Sequence, residues 1–186
     1  NRLKGYPFDK LILNKKSSNI YSLDAHWALY CENYLEGFHV PYIHKGLNKD
    51  IDLGTYKTIL LENGVLQFTE NKSDGKNNIM GGNTYAYYYW IFPNIMLNFY
   101  SWGLSMNIIE PIDINKTKIT FLSFPIEGFK QSEKSPSSLD VIEKEDQEIV
   151  LSVQRGILSN SYKRGRYSAK HELGVHHFHR LISKNL

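Results

Sequence analysis

The sequence contains a single cysteine, Cys31, among its 186 residues. A disulfide within the chain is therefore impossible, and the cysteine usage gives no indication of secretion. A lone cysteine in an apolar segment is most often buried, and we expect Cys31 to be buried in a strand. No run of about 18 apolar residues occurs, so the sequence predicts no transmembrane helix.

A concentrated basic charge is also missing. The formal net charge is +3, and the 22 Lys and Arg and the 19 Asp and Glu are mixed along the chain. Nucleic-acid-binding proteins usually gather their basic residues in one patch, whereas the short runs NKK and KRGR are typical of solvated surfaces. We therefore predict no nucleic-acid partner and no membrane partner. Because no signal peptide is visible, we expect a cytoplasmic location.

The length and composition predict one domain with a sizeable core. We expect residues 1–186 to form that domain, since 41% of them are hydrophobic and 13 Tyr, 9 Phe and 3 Trp are present. Residues from about 51 to 125 are rich in aromatic and β-branched types, which predicts an antiparallel meander with a hairpin turn at Asn63-Gly64. The segment IYSLDAHWALYC is interpreted as the entry into a strand, and QSEKSPSS as a polar loop.

The segment ENYLEGFHVPYIHKGL, residues 32–47, carries the first candidate site. As a short helix it would place Asn33, Glu36 and His39 on one face, because they are three residues apart. Pro41 disfavours helical backbone at Val40, so we expect the helix to end there. That break would allow the chain to turn and bring His44 beside His39.

The segment SSLDVIEKEDQEIVLSVQRGIL predicts an amphipathic helix. Its apolar stripe consists of Ile142, Ile149, Val153 and Ile157. Asp146 takes the position missing from that stripe, whereas Glu143 and Glu148 fall on the flanks or the far side, where we expect them in water. A buried carboxylate is costly unless it is paired, hydrogen-bonded or bound to a metal. Asp146 could also cap a strand or pair with an arginine.

Together, His39, His44 and Asp146 supply the donors of a two-histidine, one-carboxylate site. That donor set is typical of non-heme Fe(II) oxygenases, in which open coordination positions remain. The alternative is a pair of interior or surface histidines with backbone partners. A rival cluster occurs in GVHHFHRL, but no acid or cysteine lies near it in sequence. We interpret its members as structural or surface histidines: His176, His177 and His179.

The motifs ENYLEGFHVPYIHKGL, FPNIMLNFY and EDQEIVLSVQRGI, in this order, resemble the catalytic domain of the large (alpha) subunit of Rieske-type non-heme iron oxygenases, the ring-hydroxylating oxygenases. The resemblance covers the chain from about Trp27 to its end. The runs YYYWIFPNIMLNFYSWGLSMNIIEPID and YKRGRYSAKHELGVHHFHRL look most similar to the choline monooxygenase branch. The resemblance implies an α+β helix-grip (Bet v1/START-like) fold, in which a curved antiparallel sheet wraps a long C-terminal helix.

The resemblance also implies roles for single residues. His39 and His44 match the histidine ligands of a mononuclear Fe(II), and Asp146 matches the carboxylate ligand. Glu36 matches an acid, often Asp in this family, that is hydrogen-bonded to a Rieske-cluster histidine of a neighbouring subunit. Asn33 matches a polar residue near the iron.

One departure from the family pattern is large. A Rieske 2Fe–2S cluster needs two cysteines and two histidines, and this chain has only Cys31. We therefore expect the N-terminal Rieske domain, with its cluster, to be absent from this chain. The family implies further partners, namely a reductase or ferredoxin, the Rieske domain of a neighbouring subunit and a homotrimer.

The expected reaction is hydroxylation of a small organic substrate with Fe(II) and molecular oxygen. The resemblance suggests a quaternary ammonium substrate such as choline, betaine or carnitine. The aromatic run YAYYYWIF could form a cation–π cage for it, although we expect at least half of that run to fill the sheet core. The alternatives are a dioxygenase acting on an aromatic ring and a non-catalytic ligand-binding domain of the same shape.

Overall fold

The computed structural model describes residues 2–72, 79–129 and 136–186, without the side chains of residues 136–138. This part of the chain contains seven strands, five α-helices and two short 3-10 helices, Phe8–Lys10 and Lys15–Ser17. The strands are β1 (Asn19–Leu23), β2 (Ile51–Leu61), β3 (Gly64–Asn71), β4 (Thr84–Ile91), β5 (Ile95–Tyr100), β6 (Gly103–Asp113) and β7 (Lys116–Pro125). The helices are α1 (Trp27–Tyr34), α2 (Val40–Ile43), α3 (Leu47–Asp50), α4 (Pro136–Ile157) and α5 (Leu173–Asn185).

The strands form one antiparallel sheet in the order β1-β7-β6-β5-β4-β3-β2. Strands β2 to β7 follow one another as a meander, which confirms the topology predicted from the aromatic and β-branched segments. β1 pairs with β7, so the first strand forms the sheet edge opposite to β2. Register shifts in β2, β3 and β6 add local bends to the strands.

The hairpin between β2 and β3 lies one residue earlier than predicted. Leu61 pairs with Gly64, so the two turn residues are Glu62 and Asn63. Gly64 instead begins β3, where a Cβ atom would stand 2.4 Å from the carbonyl oxygen of Trp90. The glycine is therefore required by the close approach of β4 and not by the turn.

Helices α1, α4 and α5 cover one face of the sheet, and the main core lies between these helices and the sheet. Trp90, Met96 and Ile119 of the sheet pack there with Val150 of α4 and Phe178 of α5. A second apolar cluster lies on the opposite face, where the N-terminal segment contributes partners for the sheet. The α+β, helix-grip prediction is confirmed. The long helix is α4, and α5 follows it to complete the layer.

The segment IYSLDAHWALYC was predicted as a strand entry, and only its first part is one. The chain leaves β1 at Leu23 and begins α1 at Trp27. His26 caps the new helix, because its ring Nδ1 accepts a hydrogen bond from the Ala28 N–H at 3.3 Å. Cys31 is fully buried, as predicted, but it lies in α1 and not in a strand.

The QSEKSPSS loop prediction lies partly outside the described residues, which resume at Pro136. Its last three residues, 136–138, already belong to the first turn of α4. A proline fits that position because the first turn has no hydrogen-bonding partner for its missing N–H. No helix in the described part of the chain is long and apolar enough to cross a membrane.

The contact between α5 and the end of α1 depends on Gly174. A Cβ at this position would lie 2.6 Å from the Leu35 carbonyl oxygen and 3.4 Å from a methyl group of Val65. We expect Gly174→Ala to lower the free energy of unfolding by about 1–3 kcal/mol, because the helix must move outward. Gly156→Ala is the matched control, since nothing lies within 4 Å of its Cβ, and alanine there should be neutral or stabilising by up to ~1 kcal/mol. Urea unfolding of both variants measures this, and equal effects would contradict the packing argument.

Candidate metal centre and cavity

One helical turn holds the two candidate histidines together. His39 immediately precedes α2 and His44 immediately follows it. The turn is closed by hydrogen bonds from the Ile43 N–H to the His39 carbonyl and from the His44 N–H to the Val40 carbonyl, each 3.0 Å long. The two rings converge from its ends, and their Nε2 atoms lie 3.1 Å apart.

The helix boundary differs from the prediction. α1 ends at Tyr34, so Glu36 and His39 do not share a helix face with Asn33. The chain passes close to Tyr56 at Gly37, where a Cβ would stand 2.5 Å from the tyrosine ring. Pro41 does not end a helix but lies in the first turn of α2, where its missing N–H leaves no partner unsatisfied. The turn that brings His44 back to His39 is thus α2 itself.

Asp146 reaches the two histidines from α4. Its Oδ1 atom lies 3.0 Å from His44 Nε2 and 3.6 Å from His39 Nε2. The same oxygen accepts a hydrogen bond of 2.6 Å from Asn33 Nδ2 of α1. Within the described ranges, these three residues are the one group of His, Cys, Asp and Glu side chains close enough to share a metal ion.

The Nδ1 atom of each histidine ring pairs with a further carboxylate, a different one for each ring. Glu36 Oε1 pairs with His39 Nδ1, and its Oε2 accepts hydrogen bonds from the N–H groups of Phe38 and His39 at 2.7 and 3.1 Å. Glu145 Oε2 lies 2.8 Å from His44 Nδ1. Metal-bound histidines commonly donate their other N–H to a carboxylate, which fixes the ring and its tautomer. Both Nε2 atoms are thereby aimed at the centre of the group.

The carboxylates also control protonation. Burial lowers the pKa of His39, but Asp146 and Glu36 outweigh this effect and raise the pKa to about 9. Burial raises the pKa of Asp146, but the two histidines outweigh it and lower the pKa to about 2. At neutral pH the group therefore attracts positive charge between its side chains, either as protons or as a cation that displaces them.

The donor spacing fits a single transition-metal ion. Three neighbouring donors of an octahedral ion, each about 2.1 Å from it, lie about 3 Å apart. The observed separations between His39, His44 and Asp146 are 3.1, 3.0 and 3.6 Å. Two imidazoles and one carboxylate on one side of an ion, with the other side open to a cavity, are typical of non-heme Fe(II) sites.

Helix α4 is rotated relative to the predicted stripe. Val153 and Ile157 were expected to be buried, but they are 44% and 37% exposed. The innermost positions are instead Glu143, Val150 and Gln154. The prediction that Glu143 lies in water is therefore wrong, whereas Glu148 is exposed as predicted.

Glu143 is a carboxylate that sequence reasoning missed. It is only 6% exposed, and it accepts hydrogen bonds from the Tyr30 hydroxyl and, at 2.9 Å, from Asn107 Nδ2. Burial raises the pKa of Glu143 to about 7, and the hydrogen bond from Tyr30 and that from Asn107 only partly oppose this. Its spacing of three residues from Asp146 was the signal that could have identified it, because such residues share a helix face.

A cavity of about 110 Å³ adjoins the five predicted site residues and Glu143. A cavity of about 150 Å³ holds a benzene ring in other proteins, so this one suits a small ligand. Its wall combines polar side chains with five tyrosines, whose hydroxyls stay neutral because burial raises their pKa values. The tyrosines are Tyr30, Tyr34, Tyr56, Tyr88 and Tyr100.

The aromatic run of β4 divides between the core and the cavity. Trp90 is completely buried in the main core, and Tyr87 belongs to the cluster on the opposite face. Tyr88 faces the cavity. This confirms that much of the run fills the core, and it leaves Tyr88 as the one member of the run that lines the cavity.

The rival histidine group does not converge. All three residues lie on α5, where His177 Nε2 is 2.8 Å from the Leu61 carbonyl and His179 Nε2 is 2.7 Å from Glu32 Oε1. The His176 ring packs edge-on against Tyr167. These side chains connect α5 to β2, to α1 and to the preceding loop, in agreement with the structural interpretation.

The sequence of this chain is similar to proteins of one family. The family model described as the ring hydroxylating alpha subunit (catalytic domain) matches residues 13–186. A choline monooxygenase, chloroplastic, from Arabidopsis thaliana is 37% identical over 172 residues, which are 89% of this chain and 40% of that protein. The carnitine monooxygenase oxygenase subunit of Escherichia coli K12 is 29% identical over 174 residues, 86% of this chain and 46% of that protein. The chain thus spans less than half the length of these curated relatives.

Solved structures share the fold. The quaternary ammonium Rieske monooxygenase CntA, in complex with an inhibitor, has a TM-score of 0.78 at 22% identity, covering 94% of this chain and 50% of that chain. Dicamba monooxygenase bound to dicamba has a TM-score of 0.65 at 16% identity, covering 94% of this chain and 58% of that chain. Identities this low show a common architecture and leave the substrate open.

The raised pKa of Glu143 predicts a stability penalty. Since its pKa is about 7 in the folded chain, against an ordinary value of 4.5, the stability contributed by this group falls as pH rises from 4.5 to 7 and stays low above. We expect Glu143→Gln to be more stable than the wild type at pH 8, by up to roughly 3 kcal/mol, and to have little advantage at pH 4.5. Unfolding at both pH values measures the difference, with exposed Glu148→Gln as control. An equal loss at both pH values would show that geometry, and not charge, dominates at this position.

Proposed function

This chain belongs to the ring hydroxylating alpha subunit family, whose catalytic-domain model it matches, and we propose that it is the catalytic domain of an iron-dependent oxygenase that hydroxylates a small quaternary ammonium compound. The observation that carries the proposal is the convergence of His39, His44 and Asp146 beside a tyrosine-lined cavity. The curated relatives named for choline and carnitine support the substrate class over an aromatic ring.

The proposed roles follow from the contacts. His39, His44 and Asp146 hold mononuclear Fe(II), which when bound supplies the oxygen-activating chemistry of this class of site. Glu36 and Glu145 orient the two imidazoles, and Asn33 fixes the Asp146 carboxylate through its hydrogen bond. The surrounding tyrosines keep water from the cavity and offer ring faces to an ammonium group.

The partners are proposed from the family. Electrons would come from a 2Fe–2S cluster on a Rieske domain outside residues 1–186, supplied by a reductase or ferredoxin. Inter-subunit electron transfer in a quaternary ammonium Rieske monooxygenase of the same fold supports an oligomer in which the Rieske domain of a neighbouring subunit lies close to Glu36. The homotrimer is proposed from the family alone. The cytoplasmic location stays a prediction, because the plant relatives are named as chloroplastic.

Metal analysis tests the ligand set. After anaerobic loading with Fe(II), we expect about one iron per chain in the wild type, and a loss of most of it in His39→Ala and Asp146→Ala. Each substitution removes one of three donors and leaves the other two unable to enclose the ion. Total iron after desalting is the measurement.

Two matched controls accompany it. His176→Ala and Glu148→Ala remove an exposed histidine and an exposed glutamate, so both should retain wild-type iron. Iron that survives in His39→Ala and Asp146→Ala would overturn the metal centre and favour a helix-grip domain that binds a ligand without catalysis.

The proposed role of Glu36 has a separate test. Glu36 is 11% exposed and holds both the ring and the backbone of His39. In the full-length subunit, Glu36→Gln should keep most of the iron but reduce reductase-supported turnover at least ~10-fold, since a charge in the hydrogen-bonded path is lost. Turnover equal to that of the wild type would exclude Glu36 from the electron path.

A further inference from the structure

The wall of the cavity contains a charge that the metal centre does not use. Asp146 interacts with both histidines, and Glu36 interacts with His39 and two backbone N–H groups. Glu143, one turn before Asp146 on α4, contacts neither histidine. Its hydrogen-bonding partners are neutral donors, the Tyr30 hydroxyl and the Asn107 amide. It is therefore the one cavity carboxylate, among the described residues, that has only neutral partners.

The surroundings of Glu143 provide no counter-charge. The described part of the cavity wall includes three carboxylates, those of Glu36, Glu143 and Asp146, and no lysine or arginine. A buried carboxylate surrounded by neutral groups is costly unless a cation approaches it. The two histidines and any metal between them are already matched to the other two acids. The wall thus leaves one carboxyl group, Glu143, without a counter-charge, and a cation that enters the cavity would favour its ionised form.

The remaining wall suits an ammonium group without a carboxylate. Tyrosine rings attract a cation that lies over their faces, and the ring of Tyr30 carries the very hydroxyl that donates to Glu143. A substrate carboxylate near Glu143 would meet a like charge, and the described wall has no lysine or arginine to pair with it, so it would be repelled. A quaternary ammonium alcohol fits this distribution of charge better than a betaine or another zwitterion.

We propose that Glu143 is the specificity-determining residue that selects a cationic, carboxylate-free substrate, by presenting its carboxylate to the ammonium group in the cavity. The inference rests on the proposed function only in taking the cavity beside the metal centre as the substrate site. It assigns the preference for a cationic substrate to one side chain on α4. It also predicts that the charge of the ligand, and not only its shape, contributes to binding affinity.

Three probes separate charge from shape. Choline is the cationic alcohol, dimethylbutanol is its neutral analogue with carbon in place of the ammonium nitrogen, and glycine betaine is the zwitterion. Calorimetric titration of the wild-type chain should show choline binding at least ~10-fold more tightly than either of the other two. Because this measurement needs no variant, equal or absent binding of choline would overturn the proposal directly.

Variants then assign the effect to the residue. Glu143→Gln keeps the side-chain size and should weaken choline binding by roughly tenfold or more, while leaving dimethylbutanol unchanged. Glu143→Asp retains the charge and should preserve part of the preference for choline over dimethylbutanol. Glu148→Gln, which removes an exposed acid of the same helix, should bind all three probes like the wild type. Equal losses for choline and dimethylbutanol in Glu143→Gln would show that the residue acts by packing and would refute the proposal.

The outcome is independent of the iron measurement. A chain that binds one iron but does not distinguish choline from dimethylbutanol would retain the proposed function and refute the role of Glu143. A chain that fails to hold iron but prefers choline, with the preference lost in Glu143→Gln, would refute the oxygenase assignment and retain the cation site.

Discussion

The hydrogen-bonded contact between α1 and α4 is the constraint on which the rest of the site depends. Tyr30 donates to Glu143 and, three residues further along both helices, Asn33 donates to Asp146. These two pairs fix the rotation and the axial position of α4 against α1 together. An apolar interface would tolerate sliding by a residue, but a slip here would separate both pairs and leave two buried carboxylates without their donors from α1. The position of the candidate metal centre is thus set by polar contacts within the protein.

The sheet and the candidate ligands were predictable from the sequence, each for a different physical reason. Residue types that favour pleated, half-buried strands dominate the meander, so its topology was predictable. Helix α4 was predicted with its face rotated by about one residue, or roughly 100°. Asp146 was nevertheless identified, because it lies three or four residues from members of both the predicted and the observed face. Glu143 and Gln154 were missed because their burial depends on partners distant in sequence, which no pattern of hydrophobicity records.

The cavity departs from the usual rules for a stable core in a consistent way. Carboxylates and amides occupy positions where leucine or isoleucine would pack with less electrostatic cost. The departures lie on the face of α4 that meets the histidines, while the core around Trp90 and Phe178 is conventional and completely buried. Polar, destabilising side chains that are confined to one region are expected where a functional site needs residues that do not favour stability. The same carboxylate, Glu143, therefore opposes stability and provides a charge for recognition.

The two halves of the candidate metal centre form on very different length scales along the chain. His39 and His44 are joined by a single helical turn, so their pairing needs only local backbone order. Asp146 lies 102 residues after His44, and it arrives only when the meander is complete and α4 has docked. An ion held by all three residues bridges a loop that includes all of β2 to β7, and it stabilises the native chain in proportion to the logarithm of its free concentration. Binding of a metal by all three residues would therefore require that the meander has formed and that α4 has docked. A fragment ending before α4 would keep both histidines but would lack Asp146 and so the complete site.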